Sequence, residues 1–138
     1  MRLTSFTDYG LRMLMRLASA PGQVFSTSDL AAEFGLSRHH LTKIMQKLAR
    51  AGIVETRRGG GGGAVLVCDP AVIRLGDIVR LLEDGKALVE CFETGGRCTI
   101  DGHCGLKGRL RVAERAFLAA LDQSTLADVA LPPLRGAA

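Results

Sequence analysis

Three cysteines fall within one short stretch, Cys91, Cys98 and Cys104, spaced C-x6-C-x5-C with Gly95, Gly96 and Gly102 among them. Thiolates hold iron–sulfur clusters or zinc, or pair as disulfides. The glycines let such a loop fold back and aim three sulfurs at one point. The spacings exceed the usual C-x2-4-C zinc knuckle and differ from ferredoxin runs, and spacing alone leaves cluster and zinc evenly balanced. Three thiolates leave one coordination corner for a ligand from elsewhere in the chain or from another subunit. His103 adjoins Cys104 and is awkwardly placed to share its metal. The fourth cysteine, Cys68, lies in a strand-like stretch and reads as a small buried hydrophobe. With no C-x-x-C, no nucleophile–base pair and no cofactor fingerprint, the chain does not read as an enzyme.

A second constellation suits a polyanion. Over Arg38–Ala51, His39, Lys43, Gln46 and Arg50 recur at i, i+4, i+7 and i+11, with Arg38, His40, Thr42 and Lys47 beside them. The opposite face carries Leu41, Ile44, Met45 and Leu48, the pattern of a helix with one wet face and one core face. Ser37 is placed to cap it. A short helix, Thr27–Phe34, and the turn Gly35-Leu36-Ser37 precede it. Two strands follow, 53–57 and 64–68, around Arg58 and the five glycines Gly59 to Gly63. This order is that of a winged helix-turn-helix. In a major groove, His39, Lys43 and Gln46 reach base edges while Arg38, Lys47 and Arg50 meet phosphates. The slim tip, with Gly62 and Gly63, approaches the minor groove, and Arg57 and Arg58 stand at its base. No Lys-Ser or Lys-Thr follows the glycines, so they are not a phosphate-cradling P-loop. The competing readings are a solvated helix face and a floppy glycine loop.

Charge supports the first reading. Residues 1–70 hold nine Lys and Arg against five Asp and Glu, whereas residues 71–138 hold nine of each. The whole excess of +4 thus lies in the first half. From Ser37 to Arg58 there are six basic residues and one acid, Glu55, a stripe suited to nucleic acid. The 47% hydrophobic content excludes global disorder, and with 4% aromatics and no Trp the core must be aliphatic. The start has no signal-peptide core and no stretch has the length of a membrane span, which points to a reducing cytoplasm and to cofactor ligation by the cysteines.

The remaining elements frame these two sites. Thr4–Ala20 reads as a helix with Phe6, Met13, Leu14 and Leu17 inward and with Ser5 and Asp8 as a capping box. Val24–Ser26 suits a short strand, and Leu75–Leu82 a helix with Ile78, Val79 and Leu82 inward. Leu106, Leu110, Ala113, Phe117 and Leu121 make a near-heptad seam on a long helix, as a dimer contact would. Ser124 or Thr125 opens a short turn through Val129. The expected fold is mainly α with a small β-hairpin wing. Its parts are a DNA-binding domain (1–82), a cysteine loop (83–105), a dimerisation helix with docking turn (106–130) and a disordered tail (131–138).

Several motifs together carry a family resemblance: Leu3 to Arg12, Ser37-Arg38-His39-His40, Arg58-Gly59 with Gly62-Gly63, Ile73-Arg74-Leu75-Gly76-Asp77, the three cysteines, and Thr125 to Val129. From residue 1 to about 130 the chain resembles the nitric-oxide-sensing repressors within the family of iron–sulfur winged-helix regulators. The resemblance implies a homodimer on operator DNA with an inverted repeat. It implies a 4Fe–4S cluster (2Fe–2S being the alternative) on Cys91, Cys98 and Cys104, and release of DNA when nitric oxide attacks that cluster. It also implies a fourth ligand, Asp8, reaching over from the other subunit. A sister branch uses a His three residues after the last cysteine; here that position is Lys107. The x6 spacing between Cys91 and Cys98 is longer than this group's x4 or x5. The alternative function is an iron–sulfur or zinc regulator on the same scaffold that reports redox state or iron supply.

Overall fold

The computed structural model describes residues 2–135. Helix α1 (Ser5–Leu17) opens it, then β1 (Phe25–Ser26), α2 (Thr27–Phe34) and α3 (Arg38–Arg50). The hairpin β2 (Val54–Arg57) and β3 (Gly63–Leu66) follows, then α4 (Leu75–Leu82) and the long α5 (Gly105–Leu121). Short 3₁₀ turns lie at Pro70–Val72, Glu90–Phe92 and Leu126–Val129.

Local chemistry explains most boundaries. Ser26 and Ser37 cap α2 and α3 by accepting the amides of Asp29 and His40. The cap of α1 is Thr4, which accepts from the Thr7 amide, so the expected Ser5–Asp8 capping box does not form. Asp8 lies one residue too deep in the helix to reach back, and pairs forward with Arg12 instead. Glu83, at the end of α4, takes up the cap's own groups: its Oε1 accepts the Thr4 amide (2.6 Å) and the Thr4 hydroxyl (2.9 Å).

The core is aliphatic and sits among α1, α2, α3 and the sheet. Met13, Leu14, Leu17, Leu41, Ile44 and Leu48 are wholly buried. The sheet has three strands, ordered β1-β3-β2 and antiparallel: the short strand expected at Val24–Ser26 forms at Phe25–Ser26 and joins the hairpin. Pairing of Phe25 with Ala64 and of Ser26 with Gly63 makes β3 the central strand, and all four of its residues are buried. Cys68 falls beyond it, half-buried, its thiol donating to the Gly52 carbonyl at 3.1 Å. It is therefore a loop-pinning group and not a core residue in strand alternation.

Helix α5 packs on α4 at a close crossing. A Cβ on Gly76 would collide with the Asp122 carboxylate, and that carboxylate is held by Arg80 at 2.7 and 2.9 Å. After α5, Thr125 and Asp128 form a capping box, and Leu126 is fully buried. The start of the expected tail is anchored: the Leu131 amide donates to Met15, and the Pro132 carbonyl accepts from Arg16 at 2.8 Å. Arg16 is itself buried and grips Glu33 at 2.6 Å, so one guanidinium joins α1, α2 and the chain end. The last residues expected in that tail, 136–138, lie outside the described residues.

Candidate nucleic-acid interface and cysteine loop

Helix α3 turns Leu41, Ile44, Met45 and Leu48 into the core, which leaves His39, Lys43, Gln46 and Arg50 exposed on one outward face. Arg38 and Thr42 are exposed as well, while His40 and Lys47 are half-buried at the flanks. The Thr42 hydroxyl donates back to the Arg38 carbonyl at 2.7 Å, so its outward hydrogen bonding is partly spent. His40 meets the ring of Tyr9 edge-on, with centroids 6.4 Å apart, which ties α3 to α1. Sequence reasoning missed Tyr9, although its place one residue after Asp8 was visible.

The wing stands beside this face. Arg57 and Arg58 are exposed at its base, and Arg57 pairs with Glu55 at 2.6 Å. Gly62 sits in the tip, but Gly63 does not. It is buried in β3, and a Cβ there would lie 2.7 Å from the Phe25 carbonyl oxygen. Its smallness serves the β1–β3 contact, a correction to its expected place on the DNA-facing tip. Arg38 donates through Nη2 to the Gly61 carbonyl at 2.6 Å, so its position is set by the wing.

The three cysteines of the loop are all free and half-buried. The loop is tied to α5 at two points that the sequence did not reveal. Lys107 donates to Asp101 at 2.7 Å, and the Arg111 guanidinium lies 4.2 Å over the Phe92 ring. The Asp101 hydrogen bond, with the negative charges of Asp101 and Cys91, raises the Lys107 pKa. Among the described residues no three His, Cys, Asp or Glu side chains converge as one metal ion would require. In kind, the donors fit a thiolate-ligated group: three free thiols, with the Lys107 cation close enough to Cys91 to feel its charge. Asp8 is engaged on its own helix, where its two oxygens take Arg12 Nε at 3.0 Å and Nη2 at 2.8 Å.

A family model described as "Iron-dependent Transcriptional regulator", Rrf2, matches residues 3–131. The chain belongs to the Rrf2 family. It is 44% identical over 131 residues to the HTH-type transcriptional regulator NsrR of Bacillus subtilis, covering 94% of this chain and 90% of that protein. Among solved structures, oxidized CymR of Staphylococcus aureus is similar with a TM-score of 0.73 at 30% identity, covering 94% of this chain and 96% of that one. T. potens IscR is similar with a TM-score of 0.69 at 26% identity, covering 93% and 85%. The Rrf2 chain is thus a transcriptional regulator with a winged-helix fold, as its motifs implied. No helix among its described residues is long and apolar enough to cross a membrane.

Proposed function

We propose that this Rrf2 chain is a homodimeric, cytoplasmic DNA-binding repressor controlled by nitric oxide through an iron–sulfur cluster on Cys91, Cys98 and Cys104. One observation carries the reading: an outward polar face on α3 and three free thiols at the start of an under-packed α5 lie in the same small chain. The similarity to a protein named NsrR supports the sensing half.

On DNA, the core face of α3 fixes its rotation, so His39, Lys43 and Gln46 are aimed together at base edges. Arg38, Lys47, Arg50, Arg57 and Arg58 neutralise phosphates, with Ser37 holding the helix start. Helix α5 contributes no fully buried residue, and its seam of Leu106, Leu110, Ala113, Phe117 and Leu121 is covered when two copies pair. Such a pair sets two recognition helices about 34 Å apart, one turn of an inverted repeat. The cysteine loop leads into α5, and Lys107–Asp101 and Arg111–Phe92 transmit its shape to that helix. The cluster, when bound, supplies iron open to a small diatomic ligand. We assign a 4Fe–4S cluster with Asp8 of the partner subunit as fourth ligand. To serve, Asp8 must give up Arg12, freeing a cation on the same helix that carries Tyr9.

The test is anaerobic purification with iron and sulfide counts, followed by nitric-oxide titration while absorbance and DNA binding are read together. Loss of binding in step with loss of the cluster absorbance is expected. Equal binding by cluster-loaded and cluster-free protein would sink the switch. A 2Fe–2S or zinc count would move the reading to a sensor of redox state or iron supply.

A further inference from the structure

We propose that Arg38 is a positioning residue that latches the wing to the recognition helix, so that wing and helix meet DNA as one preformed reader. The proposal rests on the reading of α3 and the wing as the DNA-facing surface. Five consecutive glycines would ordinarily make a loose tip whose ordering on DNA is costly. Here Gly59 to Gly62 all take positive φ (109°, 56°, 91° and 90°), a run that L-residues rarely adopt. The run closes on itself through the Gly62 amide, which donates to Gly59 at 3.0 Å.

It also turns two successive carbonyls inward. Gly62 accepts from the Thr27 amide at 3.0 Å, and Gly61 accepts from Arg38 Nη2 at 2.6 Å. Thr27 is the first residue of α2, and Arg38 is the first residue of α3. The tip is therefore bonded to both helices of the helix-turn-helix. A Cβ on Gly61 would lie 2.6 Å from the Arg38 guanidinium, so a side chain there would push the guanidinium off this contact. Arg38 spends one N–H on this bond, and its remaining donors still face solvent, where a phosphate can take them. The wing's glycines and the recognition helix's first arginine thus form one device.

The experiment separates a latch from a plain phosphate contact. Arg38→Ala and Arg38→Lys are made in the full chain, and amide exchange across Arg58–Gly63 is followed by mass spectrometry without DNA. Both variants should exchange faster there by about tenfold, the size expected for losing one charge-assisted hydrogen bond at the surface. Binding is then measured on a duplex selected from a random library by the wild-type protein. Arg38→Lys keeps the charge, so its salt slope should match the wild type while affinity falls several-fold. Arg38→Ala should also lose about 0.9 from the log–log slope. Wild-type exchange rates in both variants would overturn the latch and leave Arg38 a phosphate contact. Faster exchange with unchanged affinity would overturn the claim that the latch serves DNA binding. Failure of the wild type to select any duplex would overturn the DNA reading itself, a result distinct from either.

Discussion

The winged helix-turn-helix and the cysteine loop with α5 are held together in opposite ways. In the first, α1, α2 and α3 each have a capping side chain, the core leucines are shut from water and the wing tip is bonded to two helices. In the second, a 17-residue helix buries no residue fully, three thiols have no covalent partner, and the loop hangs on one ion pair and one cation–π contact. The first region is complete within one chain. The second, on the function proposed above, is completed by additions: a second α5 against the seam, and a thiolate-bound group in the loop. A regulator needs this asymmetry, because a signal acts on a part whose structure depends on what is bound to it.

The largest effect expected from breaking this contrast is in the complete half. Leu48→Ala removes a wholly buried side chain from α3 and should cost about 2–5 kcal/mol in urea unfolding. The matching change on α5, Leu110→Glu, should leave circular dichroism near wild type, because Leu110 is only half-buried in the single chain. It should instead shift sedimentation from dimer to monomer and weaken operator binding by at least about tenfold. A stable dimer in Leu110→Glu would move the interface elsewhere.

Much of the first region was legible because its determinants are local. The 3.6-residue pattern in Arg38–Arg50 fixed both the helix and its wet face, and Ser26, Ser37 and Gly35 sit where a helix must start or stop. The failures come from contacts distant in sequence. Strand β1 joins β3 across 39 positions, which made a central strand out of an expected hairpin edge and buried Gly63. Arg16 meets Pro132 across 116 positions, and no periodicity marks such a contact. The cysteine loop shows the converse. Its composition revealed the chemistry, but glycine-rich backbone has no pattern from which to read a shape, and its ties through Lys107 and Arg111 came only from the fold.

A smaller stability effect separates the two halves by their response to ligand loss. Cys98→Ser should abolish bound iron and visible absorbance while moving the unfolding free energy of the purified cluster-free protein by less than about 1 kcal/mol, as a half-buried side chain without a hydrogen-bond partner should. Iron counts and urea unfolding on the same sample decide it. A large loss of stability in the cluster-free state would mean the thiol is structural, and the second region more complete than its packing indicates.

The smallest expected effect lies at the seam between the regions, where Glu83 closes α4 onto the start of α1. Burial raises its pKa, but hydrogen bonds from Thr7 and Thr4 outweigh that and hold it below the ordinary 4.5. The folded chain therefore binds this proton less readily than the unfolded chain does. The resulting stabilisation is present in full above the ordinary glutamate value and disappears as pH falls through the lowered folded one. Glu83→Gln keeps an acceptor for Thr4 and removes the titration. Its unfolding midpoint should sit slightly below wild type at neutral pH, and the gap should close in acid below 4.5. Because Thr4 also caps the helix that carries Asp8, a gap that persisted in acid would show that the carboxylate's shape, and not its charge, fixes the start of α1.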